Sequence, residues 1–358
     1  MDITKPNIIW IKGRCYRLYG QTVGSTDFDS EYTGYGDDEQ TFFDSGRDDD
    51  CSDNDYEIEE AETGRLKTCF HIPRSLHGVL IGPKGTTRQR IEKETKALIR
   101  IPKKGIDQDI VVTGATRESV AKARRRMELI ALTARQKQQF THFLSLPVNS
   151  ENVKRGFLHF QDQVLNECRG RGIGKDIFQD PNKLHITLGT LVLLDEKDRQ
   201  KAAQALQDCQ RDIVEPLLQK RPLRLSVYGI EYMNDDPAEV DVLYGKVKDL
   251  NENLILQELA DGIIKYFSNT GLMPKQFDSV KLHVTVMNSL FRREVTDSDL
   301  AKGDNRRKVR ESFDALQILK KLQDFSFGEM EVQSVDLSRR YSTAANGYYE
   351  ATSSIPLM

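Results

Sequence analysis

KLHITL at residues 183–188 and KLHVTV at residues 281–286 are nearly the same phrase written twice, and their reading decides the fold of the second half of the chain. On a strand, successive side chains point to opposite faces. His185 therefore shares a face with Thr187, and His283 with Thr285, while Leu184, Ile186, Leu188 and Leu282, Val284, Val286 take the other face. The apolar set anchors each strand on a core, and the polar pair lines whatever the opposite face borders. His71, His77, His142 and His159 stand in no such phrase. Two copies predict two related half-domains whose polar pairs meet across one cleft.

Two imidazoles and two hydroxyls in one cleft suit phosphodiester chemistry. A neutral histidine takes a proton from water or a hydroxyl, and a protonated one donates to the leaving oxygen. The hydroxyls of Thr187 and Thr285 hydrogen-bond the non-bridging phosphate oxygens. The spacing leaves open which of His185 and His283 is acid and which is base. No third ligand stands at metal-like spacing, so neither a metal nor another cofactor is expected.

Outward from the repeat, FTHFLSLPV reads as a strand, 152–168 as an amphipathic helix, and 195–218 as a second helix. LRLSVYGIEYM and DVLYGKV read as strands about the turn NDDP, followed by a helix near 254–267 and a closing strand FGEMEVQSVDLS. This mixture predicts a bilobal, pseudo-symmetric α+β domain over residues 139–358.

Residues 63–138 carry a different order: strand, helix, helix, strand, strand, helix. The last helix places Val120, Ala123, Met127, Ile130, Ala131 and Ala134 three or four apart, one buried stripe. Gly82-Pro83-Lys84-Gly85 joins the first two helices. Glycines let a backbone approach a phosphate closely, and Lys84 and Arg88 add charge. Thr86, with Gln89 three residues on, is expected to cap the next helix. Pro83 lacks an N–H and removes one amide from the loop. Arg124 to Arg126 read either as a solvated helix face or as phosphate contacts. A GxxG loop in this strand and helix order resembles a KH domain of the eukaryotic type, which implies that Gly82, Pro83, Lys84, Gly85 and Arg88 bind single-stranded RNA.

Residues 1–26 hold NIIWIKGRCYRLYG, an alternating pattern about Lys12 and Gly13 that predicts a short hairpin or docking segment. Residues 27–62 carry sixteen acidic residues against the single basic Arg47, which predicts a disordered acidic linker. Either it solubilises the chain, or it docks a basic partner or shields the body from non-specific RNA. Against a net charge of -3, the remaining body is basic, a balance compatible with nucleic acid. Five scattered cysteines without a CxxC pair indicate a reducing compartment. No apolar run of about eighteen residues is present, so no membrane partner is expected. The opening MDITKPNIIWIKG has no leader-like pattern, and secretion is not expected.

The paired His-x-Thr phrases are similar to those of the two-histidine phosphoesterases, the superfamily of LigT-type RNA ligases and cyclic phosphodiesterases. Directly after a KH module, KLHITLGTLVLL, GIEYMNDDPAEVDVLYGKV, SVKLHVTVMNSLFRR and FTHFLSLPV resemble the subunits that combine these two domains. The resemblance implies a nuclear subunit joined to a helicase and other subunits, with roles in transcription coactivation and the response to alkylation damage. It implies either a phosphodiesterase for 2′,3′-cyclic or 2′-5′ linkages in RNA, or a non-catalytic RNA- or nucleotide-binding subunit that positions its partners. RRKVR, Arg306 to Arg310, is either an import signal or a basic loop.

Overall fold

In the computed structural model, residues 8–11, 14–17, 56–61, 64–103, 106, 108–233, 235–251, 255–273, 279–293 and 310–357 are described. The chain divides into two units, Met1–Gln139 and Phe140–Met358. In the first, β1 (Ile8–Ile11) and β2 (Arg14–Arg17) pair antiparallel, with Trp10 opposite Cys15. A separate four-stranded antiparallel sheet runs β3-β4-β6-β5, built from β3 (Glu59–Glu60), β4 (Leu66–Phe70), β5 (Leu98–Arg100) and β6 (Ile110–Gly114). Helices α1 (His77–Ile81), α2 (Thr86–Thr95) and α3 (Arg117–Gln136) complete the strand and helix order expected for a KH domain. Thr116 caps α3, accepting from the Ser119 N–H at 3.2 Å. Of the expected stripe, Val120, Ala123, Met127 and Ala131 are buried; Ile130 and Ala134 are half-buried, and Leu129 is buried in addition.

The acidic strip does not stay apart from this sheet over its whole length. Residues 27–55 lie outside the described residues, but Tyr56 is 3 % exposed and its hydroxyl donates to Glu128 at 3.0 Å. The Arg124 guanidinium lies 4.6 Å from the Tyr56 ring and 4.6 Å from that of Phe70, and it also donates to Thr68. Glu59 and Glu60 then extend the sheet along β4. The expected disorder through residue 62 is thus corrected for Tyr56–Ala61. One aromatic anchor, a cation–π contact and a free strand edge supply what composition lacked. The same contacts remove Arg124 from the solvated face, and Arg126 pairs with Glu94.

The second unit contains β7 (His142–Pro147), α4 (Glu151–Glu167), β8 (His185–Leu191), α5 (Glu196–Cys209), α6 (Glu215–Leu218), β9 (Leu223–Tyr232) and β10 (Val242–Asp249). It continues through α7 (Ile255–Asn269), β11 (His283–Asn288), α8 (Leu316–Leu322), β12 (Ser326–Val332), β13 (Ser334–Arg339) and β14 (Ala351–Pro356). The helix expected over 195–218 is interrupted by a π turn at Gln210–Val214 just before Pro216, whose missing N–H breaks the regular ladder. All eight strands form one antiparallel sheet, β12-β9-β10-β11-β8-β7-β13-β14. The two copies of the repeated phrase are its central neighbours, and β7-α4-β8 mirrors β10-α7-β11 on either side. Of RRKVR, residues 306–309 lie outside the described residues, while Arg310 pairs with Asp241 at 3.1 Å.

Helices cross between the halves. Helix α4 packs on β12, and α7 packs on β8. Ile186, Leu188, Val284 and Val286 join residues of both helices in one continuous core. The opposite sides of β8 and β11 are left to the polar residues.

Gly156 marks the closest crossing: a Cβ there would lie 2.0 Å from the Phe327 carbonyl oxygen of β12. Alanine in a helix interior gains about 1 kcal/mol over glycine, but this backbone overlap costs about 1–3 kcal/mol or more. Gly156→Ala is therefore expected to lower the denaturation midpoint of the protein, whereas a rise would show that α4 can move off β12.

Candidate functional site

Val284 stands opposite Ile186 in the β11–β8 ladder. Continuing this antiparallel register by one residue each way sets His283 opposite Thr187 and Thr285 opposite His185. The four polar side chains thus share one face of two adjacent strands, each histidine beside the other strand's threonine. All four are half-buried, while Ile186, Val284 and Val286 beneath them are sealed.

Both imidazoles are held in the same way. His185 Nδ1 lies 2.7 Å from the Lys183 carbonyl oxygen, and His283 Nδ1 lies 2.7 Å from that of Lys281. A carbonyl oxygen only accepts, so each Nδ1 carries the hydrogen and each Nε2 keeps its lone pair. A tyrosine edges onto each ring: Tyr349 at 5.4 Å from His185 and Tyr244 at 5.3 Å from His283. A lysine ammonium covers each tyrosine, Lys183 at 5.1 Å over Tyr349 and Lys281 at 4.7 Å over Tyr244. The halves then diverge. Phe143 packs on His185 at 5.1 Å, whereas the Tyr244 hydroxyl donates to Glu231 at 2.8 Å and burial pushes its pKa upward.

Burial lowers the His185 pKa to about 4, opposed by its carbonyl bond and reinforced by His283. His283 is lowered as well, again chiefly by burial, with the Lys281 ammonium adding to the effect. Both rings are neutral bases in the free protein. An anion placed between them favours the imidazolium form and raises one of these values.

In the first unit, Gly82-Pro83-Lys84-Gly85 forms a tight turn between α1 and α2. Gly82, Lys84 and Gly85 all have positive φ, at 72°, 50° and 84°. A Cβ on Gly82 would meet Thr87 Oγ1 at 2.2 Å, so this position requires glycine. The Gly85 N–H donates to the Gly82 carbonyl and that of Thr86 to Pro83, which spends amides inside the turn. Thr86 is the first residue of α2, not its cap; left-handed Gly85 precedes it without a side-chain cap. Lys84 is exposed, while Arg88 is half-buried beside Glu92 at 3.8 Å. Charge at this loop therefore comes from Lys84 more than from Arg88.

The KH domain family matches residues 67–129, and the AKAP7 2′5′ RNA ligase-like domain family matches residues 140–357. The mouse protein "Activating signal cointegrator 1 complex subunit 1" is 39 % identical over 355 residues, 98 % of each chain. The chain belongs to the family of activating signal cointegrator 1 complex subunit 1. Among solved structures, one from Thermus thermophilus has 17 % identity, covers 61 % of this chain and 97 % of its own, and superposes at a TM-score of 0.39. A crystal structure titled as a phosphoesterase has 12 % identity, 61 % and 99 % coverage and a TM-score of 0.36. The first KH type I domain of human Vigilin has 27 % identity, 24 % and 92 % coverage and a TM-score of 0.20.

In this family member the KH domain and the ligase-like domain fall in the two units separately. Among the described residues no helix is long and apolar enough to cross a membrane. Sequence reasoning singled out His185, Thr187, His283 and Thr285, which the sheet brings together, but it missed the tyrosine walls. Lys183 and Lys281 were legible as the first residue of each repeated phrase. Tyr244 and Tyr349 come from other strands and loops, and no repeat signalled them.

The pKa directions give a direct check. Histidine-selective NMR is expected to show the His185 ring neutral down to about pH 4 in the free protein. Saturation with sulfate, which does not titrate near neutrality, is expected to raise that midpoint by about one unit or more. A free-protein midpoint in the ordinary histidine range would contradict the burial of the ring.

Proposed function

We propose that this protein is an RNA-binding subunit of a nuclear transcription-coactivator and alkylation-repair assembly, carrying a phosphodiesterase site that acts on RNA at a 2′,3′-cyclic phosphate or 2′-5′ linkage. Its partners on this reading are single-stranded RNA and the helicase and other subunits of the activating signal cointegrator complex. The near full-length identity to the mouse subunit supports the assembly. The observation that supports the chemistry is the β8–β11 register, from which His185, Thr187, His283 and Thr285 share one face of two adjacent strands, with each Nδ1 held by a carbonyl and each Nε2 left basic.

In the reaction, one neutral imidazole takes the proton of water as its oxygen bonds to phosphorus. The bond from phosphorus to the ribose oxygen breaks, and the second imidazole, protonated when the phosphate is bound, gives its proton to that oxygen. Thr187 and Thr285 donate to the non-bridging oxygens as charge builds there. Lys183 and Lys281 raise the local positive potential without reaching into the acid–base pair. Lys84 and the Gly82–Gly85 turn grip the RNA backbone at the KH domain.

The neutrality of both rings in the free protein favours one alternative, a nucleotide-binding regulatory subunit with little turnover. An oligonucleotide ending in a 2′,3′-cyclic phosphate separates the two. On the catalytic reading, wild type opens the ring and His185→Ala or His283→Ala each slows it by about a hundredfold or more. Intact substrate after prolonged incubation with wild type would leave the regulatory reading.

RNA affinity is expected to respond elsewhere. Gly82→Asp places a carboxylate at a positive φ against Thr87, and filter binding of a longer RNA should weaken about tenfold or more while both histidine variants bind as wild type does. Unchanged affinity in Gly82→Asp would remove this loop from the RNA contact.

A further inference from the structure

Tyr341 is 81 % exposed, the most exposed of the large apolar side chains described, and its backbone holds φ at 57°, a conformation uncommon for an aromatic residue. Lone surface aromatics are ordinary, but this one sits on an ordered loop between β13 and β14. The Glu350 N–H donates to Ser342 Oγ at 2.9 Å, Ser342 Oγ donates to the Arg339 carbonyl at 2.6 Å, and the Ala344 N–H donates to the Tyr348 carbonyl at 2.7 Å. The inner face of Tyr341 is covered by Arg340, whose guanidinium carbon lies 4.4 Å from the Tyr341 ring and 4.0 Å from that of Phe140. A cation is thus sandwiched between two rings, and the outer ring faces solvent.

This stack reaches the phosphate cleft by two routes. Phe140 meets Phe143 at 6.5 Å, and Phe143 packs on His185 at 5.1 Å. Along the loop, Lys183 Nζ donates to Thr343 Oγ1 at 2.9 Å, and the same ammonium covers Tyr349, which edges onto His185. The other half of the cleft offers no equivalent path among the described residues. Its wall bears Glu231, in contact with Tyr244 and 3.8 Å from Lys246. The single carboxylate of residues 341–350, Glu350, is likewise paired, with Arg339 at 3.5 Å. A polyanion leaving the cleft meets a lysine over a tyrosine on either side, and among the described residues the His185 side alone adds the Arg340 stack.

We propose that the Phe140–Arg340–Tyr341 stack is a nucleobase subsite, on which an unpaired base of single-stranded RNA stacks while a neighbouring phosphate occupies the cleft between His185 and His283. The inference rests on the phosphodiester reading of that cleft and adds its substrate class: an oligonucleotide, not a mononucleotide. Every base has a π face, so the subsite tolerates any sequence. Arg340 strengthens the stack and offsets the backbone charge.

Two phosphomonoesters serve as probes that need no turnover: a trinucleotide with a terminal 3′-phosphate, and the corresponding nucleoside 3′-monophosphate. Both are titrated against the full chain carrying Gly82→Asp, which silences the KH loop. Tyr341→Ala is expected to weaken trinucleotide binding about tenfold while changing mononucleotide binding by less than about twofold, and Tyr341→Phe to bind as the parent does. No loss, or equal loss on both probes, overturns the subsite. Tyr341-dependent trinucleotide binding without opening of any cyclic phosphate overturns the phosphodiesterase reading and leaves the subsite standing. Cyclic-phosphate opening whose oligonucleotide preference survives Tyr341→Ala does the reverse.

Discussion

The pairing of Val284 with Ile186 is the contact on which the rest of this protein depends. Side chains alternate across a strand, so slipping one strand by a residue would turn its imidazole into the hydrocarbon core, expose its aliphatic residues and part the two histidines. So short a seam between two halves is a small thing to rest a site upon. What secures it is the exchange of helices behind the sheet, α4 reaching across to β12 and α7 to β8. Gly156 and Gly189 are the positions where these elements come closest, a Cβ on Gly189 meeting Ile264 Cδ1 at 2.7 Å. Separating the halves would expose the continuous core, so the strand pairing is held by apolar burial more than by its own hydrogen bonds.

That same burial sets the electrostatics. Imidazoles brought this far from water lose their protons, and the Nδ1 bonds to Lys183 and Lys281 carbonyls fix which nitrogen remains basic. Each half repeats the solution, with tyrosine against histidine and lysine over tyrosine. The halves depart from the repeat in what flanks it: Phe143 and the β13–β14 loop on one side, Glu231 on the other. The KH turn shows a comparable trade. The Gly82, Gly85 and Thr86 amides are spent within the chain, and Pro83 has none to give, while the Lys84 side chain stays exposed.

Much of this was legible in order. The strand and helix sequence of the first unit follows from alternating apolar residues and the glycine turn, and the HxT strands follow from their own alternation. Tyr56 was not legible, because composition over residues 27–62 averages one aromatic anchor into a strip of carboxylates. Arg124 read as a surface charge for the same reason; its partners Tyr56, Thr68 and Phe70 are distant in sequence.

By itself, the sequence determined which residues share a strand face and that two such strands exist, because both properties are local and repeat at a period of two. It determined the glycine positions of the KH turn, because positive φ is a property of the backbone there. Only the tertiary structure decided that β8 and β11 are neighbours and antiparallel, that each histidine faces the other strand's threonine, and that Tyr349 and Tyr244 edge onto the two imidazoles. Those relations join residues tens to well over a hundred positions apart, and they arise from which apolar faces bury one another, something no local pattern encodes.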